Sequence, residues 1–347
     1  MTTKLIHFFI AFLIVTASSY GESEGAPCSE TGDCDVGVKT LVFFDKSRER
    51  PIITEIYYPP ERSAPSLVPT STNFKLLKEK RNAPIPTGDG KLPLIILSHG
   101  HQGDRYGHAW LQEILAANGY IVAVPDHFGN THYMQRAEDS LKRWDRPKDV
   151  TFLIDQLLED PLLKQHIDPN KIGFIGYSRG GLTGIWLAGG IANNYPTPNM
   201  TTSSFIELDE GTSESIIKNI DFSKAKKSYE DKRIKAEFLM APSYGFAFSP
   251  EGLSSIDIPI MIVGAENDSI TPIKHNAQFY ADNIKSSAIK IMPGKAGHYV
   301  FLNTEAQDEK KTLPPYLTKD DPSVDRSKIH EEVANMALKF FDKYLKG

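Results

Sequence analysis

Three residues whose side chains suit nucleophilic catalysis stand far apart along this chain: Ser178, Asp268 and His298. Ser178 is the centre of Gly176-Tyr177-Ser178-Arg179-Gly180, which follows the short apolar run ending at Ile175 and leads into the helical pattern Leu182 to Ala188. A Gly-x-Ser-x-Gly between a strand and a helix has the context of a nucleophile elbow, in which a strained backbone lifts the serine hydroxyl above a sheet. At neutral pH an isolated serine hydroxyl is a poor nucleophile. It needs an imidazole to take its proton and a carboxylate to hold that imidazole in the right tautomer. His298, beside Gly297 on the loop after the last expected strand, and Asp268, just past the buried run Pro259 to Val263, complete the chain order Ser, Asp, His that this arrangement requires. Glu266 and Asp257 are rival carboxylates, one nearer the strand and the other before it; His275 and His330 fall within helical patterns and read as surface or packed imidazoles.

A developing oxyanion would need backbone donors. The N–H of Arg179, at the start of the elbow helix, is one; the N–H of His101, in the loop Ser98-His99-Gly100-His101-Gln102-Gly103 after an early strand, is the second. The side chain of His99 reads as a strand-end imidazole bonded to loop backbone. Asp126-His127, also at a strand end, precedes Ser178 and so runs against the catalytic order. For the Arg179 guanidinium, a salt bridge to a nearby carboxylate is favoured over contact with an acidic substrate group.

Buried apolar runs and their intervening helices must position these groups. Leu92 to Leu97 and Tyr120 to Pro125 read as strands covered on both faces, separated by a helix over Trp110 to Asn118 that Gly119 ends. Arg146 to Asp149 open a helix through Leu158. The segment Val36 to Tyr58 reads as a hairpin turning at Asp45 to Arg50, and Pro59 to Lys91 as a loop with one helical turn at Phe74 to Lys78. A helix from Pro272 to Ile284, a last strand Ala288 to Met292 and a closing helix Ile329 to Leu345 finish an α/β pattern. The excursion at about 193–232, rich in Pro, Ser and Thr, is expected to form a cap insertion. A loop from Thr131 to Asp145 is expected to overhang the site.

The 347 residues suit one large α/β domain over 22–347. A net charge of −5 offers no basic stripe for nucleic acid, and the spacing of His and the two Cys points to no metal. Residues 1–21, with Lys4, the apolar run Leu5 to Val15 and small residues up to Gly21, read as a signal peptide. The run is too short for a stable membrane anchor, so a secreted or periplasmic location follows. Cys28 and Cys34 have the spacing for a small disulfide loop there.

The chain resembles the α/β-hydrolase superfamily, in particular exported predicted dienelactone hydrolases and the platelet-activating factor acetylhydrolases. The resemblance covers about residues 36–345 and rests on Ser98-His99-Gly100, Pro125-Asp126-His127, Arg146-Pro147-x-Asp149-Val150, Gly176 to Gly181 and Gly297-His298-Tyr299-x-Phe301. It implies a mostly parallel eight-stranded sheet with helices on both faces, no cofactor, and a serine esterase acting on small-molecule esters through Ser178, Asp268 and His298. Dienelactone hydrolases themselves use cysteine where this chain has Ser178, and Tyr177 and Arg179 differ from the His and Phe common in the acetylhydrolases. Lactone and phospholipid specificity are therefore not carried over. A peptidase or amidase with the same triad is the second reading, less favoured because the sequence shows no propeller or large specificity domain. A catalytically silent hydrolase fold used for binding is the third.

Overall fold

Strand Leu92–Ser98 explains the layering of the molecule: Leu94 and Ile96 bury into one hydrophobic core, Ile95 and Leu97 into another on the opposite face. A strand wet on neither side favours apolar side chains on both faces, and this one is apolar from Leu92 to Leu97, with only Ser98 at its end polar. Burial of each such aliphatic side chain contributes about 1.5–3 kcal/mol. The structure is a computed structural model describing residues 36–59, 79–85, 90–196, 211–303 and 314–347. The expected signal peptide, Cys28, Cys34 and the turn at Phe74 to Lys78 lie outside the described residues, as does part of the 193–232 excursion.

In chain order, β1 (Val36–Asp45) and β2 (Arg50–Tyr58) form the expected antiparallel hairpin, and β3 (Glu79–Arg81) pairs parallel with β1. Next come β4 (Leu92–Ser98), α1 (Ala109–Ala117) and β5 (Ile121–Pro125). The two-residue strands β6 (Asn130–Thr131) and β7 (Met134–Gln135) pair only with each other, ahead of α2 (Ala137–Leu141) and α3 (Asp145–Glu159). The central strand β8 (Ile167–Tyr177) runs into the elbow helix α4 (Arg179–Leu187). Beyond it lie α5 (Glu214–Asn219), β9 (Ile234–Met240), α6 (Pro250–Leu253), β10 (Ile260–Ala265), α7 (Ala277–Asn283), β11 (Ser287–Met292), α8 (Pro315–Thr318) and α9 (Arg326–Phe341).

The main sheet has the order β11-β10-β9-β8-β4-β5-β2-β1-β3. Its six strands from β11 to β5 are mutually parallel, with helices α1 and α9 packed on one face and α3, α4 and α7 on the other. This is the mostly parallel α/β-hydrolase sheet with helices on both faces. Three expectations need correction. The stretch Thr131 to Asp145, expected as a loop, holds β7 and helix α2, because Thr131 pairs back on Met134 and Ser140 N–H bonds to Arg136 O at 2.9 Å. The described sheet has nine strands instead of eight, because Glu79–Arg81, within the stretch read as loop, pairs with the edge of β1 while Arg81 reaches the buried Glu55 carboxylate at 2.5 Å. The helix expected over Pro272 to Ile284 is a 3₁₀ turn, Ile273–His275, followed by α7, with Asn276 between them at φ −133°. Helix propensity loses there to side-chain bonding: Asn276 Oδ1 accepts from Gly245 N at 3.1 Å and Nδ2 donates to Pro272 O at 3.1 Å.

The described part of the 193–232 excursion is tied to the elbow-helix face of the sheet. Phe222 packs edge-on against Trp144 with centroids 5.9 Å apart, and Trp186 of α4 donates to Ala225 O at 3.1 Å. Under that same helix lies Glu237 of β9. It is fully buried, neither carboxyl oxygen has a hydrogen-bond partner among the described residues, and a Cβ at Gly184 would come within 2.7 Å of Oε2. Burial raises its pKa well above the ordinary glutamate value of 4.5, so the folded protein keeps a proton there that the unfolded chain releases. The folded state then binds more protons than the unfolded state above about pH 4.5, and stability declines as pH rises through that window. Thermal melts between pH 4.5 and pH 8 should show this decline in the wild type. Glu237→Met should flatten it and raise the melting temperature at pH 8, through a gain in unfolding free energy on the order of 1–3 kcal/mol expected for removing an unpaired buried polar group.

Candidate active site

The elbow is built by close approach. Ser178 stands at φ 52° and ψ −112°, a region an L-residue occupies only under compulsion from its surroundings. Its N–H donates to Met240 O of β9 at 2.9 Å, and its carbonyl accepts from Gly181 N and Ser243 N at 2.8 and 3.1 Å. The flanking glycines permit this: a Cβ on Gly176 would lie 2.3 Å from Gly180 O, and one on Gly180 would lie 2.0 Å from Ser98 O. Strand β8, helix α4 and the end of β4 are thus in backbone contact.

The structure brings Ser178, Asp268 and His298 together. His298 Nε2 is 3.0 Å from Ser178 Oγ, and its Nδ1 is 2.7 Å from Asp268 Oδ2. Asp268 is held in turn: its Oδ1 accepts the N–H groups of Ile270 and Thr271 at 2.8 and 2.7 Å, and its Oδ2 accepts the Thr271 hydroxyl at 2.7 Å. Burial opposes ionisation of Asp268, but the hydrogen bonds from His298 and Thr271 prevail and hold its pKa below the ordinary carboxylate value. His298 opens a 3₁₀ turn, His298–Phe301, where a loop was expected, and its carbonyl accepts the Tyr177 hydroxyl at 3.1 Å. Among the rivals, Asp257, Glu266 and His275 are exposed, Glu266 bonding to Gly294 N at 2.5 Å. His330 is buried, stacked on Trp110 with ring centroids 4.0 Å apart.

Of the two backbone donors named from sequence, one directly follows the serine and the other belongs to the loop that approaches it. Arg179 is the first residue of α4, and a Cβ on Gly100, the residue before His101, would sit 3.3 Å from Ser178 Cβ. The Arg179 guanidinium, expected in a salt bridge, donates to Asn130 Oδ1 at 3.2 Å and Ser140 Oγ at 3.0 Å. His99 Nδ1 donates to Gly100 O at 2.7 Å, while its Nε2 accepts His127 N–H at 3.1 Å.

Asp126 and His127 separate in role. Asp126 forms an ion pair with Arg105 and accepts from the Tyr133 hydroxyl. His127 joins a second Ser–His–Asp arrangement: Nε2 is 2.8 Å from Ser98 Oγ and Nδ1 is 3.1 Å from Asp149 Oδ2. All three of these residues are fully buried, and Ser98 lies within regular strand β4. Burial, with the guanidiniums of Arg146, Arg50 and Arg48, pushes the His127 imidazole well below its usual pKa and keeps it neutral. This second group ties β4, β5 and α3 together. The sequence reading did not find the supporting roles of Thr271, Tyr177, Asn130 and Arg146. The spacing Asp268-x-x-Thr271, which suits a side chain bonding to nearby backbone, was a usable signal for the first. Among the described residues no cluster of three or more His, Cys, Asp or Glu is placed to hold a metal ion.

Comparison with known proteins matches residues 106–313 to the prolyl oligopeptidase family and residues 62–136 to platelet-activating factor acetylhydrolase, isoform II. A curated relative, the uncharacterized peptidase YuxL of Bacillus subtilis (strain 168), is 32% identical over 104 residues. The match spans 29% of this chain and only 16% of that relative. Among solved structures, a ferulic acid esterase from Streptomyces cinnamoneus superposes with a TM-score of 0.59 over 93% of each chain at 19% identity, a likeness of fold.

The elbow geometry is directly testable. In an ordinary helix Gly→Ala gains about 1 kcal/mol from propensity. At Gly180 the contact with Ser98 O reverses the sign, so Gly180→Ala should destabilise by about 1–3 kcal/mol or more, read as a fall in the midpoint of urea unfolding.

Proposed function

We propose that this chain, which belongs to the prolyl oligopeptidase family and so to the serine hydrolases of the α/β-hydrolase superfamily, hydrolyses carboxylic esters through an acyl-enzyme on Ser178. The observation that carries the reading is the continuous hydrogen-bonded relay from Asp268 through His298 to a serine held at positive φ. In this reading Ser178 Oγ attacks the ester carbonyl carbon while His298 Nε2 takes its proton. Asp268, ionised at neutral pH, holds the Nδ1–H tautomer and stabilises the imidazolium. The oxyanion of the tetrahedral intermediate lies against the N–H groups of His101 and Arg179, where one such donor is worth about 3 kcal/mol of barrier. Collapse breaks the carbon–oxygen bond to the alcohol, which departs with the proton from His298. Water, deprotonated by the same imidazole, then releases the acid and restores Ser178.

The family match favours a second reading, cleavage of peptide bonds by the same groups, in which His298 must protonate a poorer leaving nitrogen. Similarity to the ferulic acid esterase and to the acetylhydrolase profile supports the ester reading. The leading pattern of Lys4, Leu5 to Val15 and the small residues up to Gly21 supports export to a periplasm or the cell exterior.

The wild type should turn over p-nitrophenyl acetate and butyrate, and Ser178→Ala and His298→Ala should each lower kcat by at least about a thousand-fold. Unchanged rates in both variants would remove Ser178 and His298 from the mechanism. A kcat/KM for an anilide of the same acyl group equal to that for the ester would favour the peptidase reading.

A further inference from the structure

We infer that Arg146 is the positioning residue that aims one of the two oxyanion donors, the backbone N–H of His101. The inference rests on the oxyanion site proposed above and names what holds it in place. Arg146, near the start of α3, is almost fully buried, and both ends of its fork reach one stretch of backbone: Nη1 donates to His99 O at 2.6 Å and Nη2 to Gly100 O at 2.9 Å. Gly100 O also accepts from His99 Nδ1 at 2.7 Å, so two donors from different elements fix that carbonyl.

The peptide unit between Gly100 and His101 is planar and trans, like every other peptide bond described. In a trans unit the C=O and the following N–H point in opposite directions. Clamping Gly100 O towards Arg146 therefore sets the direction of the His101 N–H, which leaves the buried network on the side away from the guanidinium. A Cβ on Gly100 would meet the Tyr177 ring at 3.0 Å and Ser178 Cβ at 3.3 Å, so the fixed peptide belongs to the loop packed against the elbow.

One further atom links the two halves of the site. Asn130 Oδ1 accepts from Arg146 Nη2 at 2.8 Å and from Arg179 Nη1 at 3.2 Å, while Nδ2 lies 3.2 Å from His101 Nδ1. An amide oxygen shared by two guanidiniums ties the helix that supplies the Arg179 N–H to the loop that supplies the His101 N–H. A buried guanidinium serving only to stabilise the fold gains most against a carboxylate. Asp149, one turn along on α3, instead receives Arg48, Arg50 and His127, and Arg146 is directed at neutral oxygens, two of the backbone and one of the Asn130 amide.

Steady-state kinetics together with a trifluoromethyl ketone, which adds to the serine and forms an oxyanion without turnover, test the inference. Arg146→Lys keeps the charge but loses the planar fork. It should leave KM for p-nitrophenyl butyrate within about two-fold, lower kcat at least about ten-fold and weaken the ketone by a similar factor. Guanidinium ion at millimolar concentration should restore part of the kcat of Arg146→Ala. A folded Arg146→Lys with kcat and ketone affinity both within two-fold of wild type would overturn the proposal, as would a loss of kcat with ketone affinity unchanged. If both Arg146 variants fail to fold, Asn130→Ala removes the shared acceptor and should weaken the ketone in the same direction; unchanged affinity there overturns the proposal equally. A wild type that binds the ketone through Ser178 but cleaves no ester would refute the ester reading alone, with the ketone affinities still testing Arg146. A wild type that forms no adduct would overturn both.

Discussion

Everything at the centre of this molecule depends on three backbone segments lying closer together than side chains allow. Gly176 in β8 faces the carbonyl of Gly180 in α4, and Gly180 faces the carbonyl of Ser98 at the end of β4, each so closely that a Cβ would come within 2.3 and 2.0 Å of the oxygen. That contact forces Ser178 to a positive φ, where the chain turns from strand to helix in one residue. The cost is local strain, offset by the two cores that clamp sheet and helices on either side.

Around that turn the functional groups arrive from the same edge of the sheet because the six central strands are parallel. Their carboxyl ends deliver the loop of His99 to His101, Asp126 and His127, Ser178, Asp268 and the turn of His298 to one side. The charged residues between them form a connected support. Arg48 and Arg50 of the hairpin reach Asp149 on α3, which holds His127 behind the end of β4, while Arg146 holds the adjoining loop. The hairpin is therefore mechanically joined to the site although none of its residues enters it.

Much of this could be read from the sequence, for identifiable reasons. Continuous apolar runs such as Leu92 to Leu97 mark strands covered on both faces, and the elbow pentapeptide carries a backbone requirement that only glycine meets, so both leave strong local signals. Asp268 and His298 were reachable because chain order and position after a strand restrict the choices. What escaped depends on contacts between distant residues. Asn276 interrupts a good helical pattern because Gly245, 31 residues earlier, offers its N–H. Strand β3 exists because β1 has an open edge. Arg146 looked like a helix opener, since nothing near it in sequence announces that its partners are the carbonyls of His99 and Gly100, over 40 residues earlier.

The buried group formed by Ser98, His127 and Asp149 carries a wider lesson about recognising enzymes. Matched to a three-side-chain template, this group would pass beside Ser178, His298 and Asp268 with similar spacing, although it is sealed inside the protein with its serine on an ordinary strand. Only main-chain torsion and access to solvent separate the pair. Chemical competence in this architecture is thus written in the polypeptide backbone, and the familiar trio of side chains supplies the reagents without identifying the reactor.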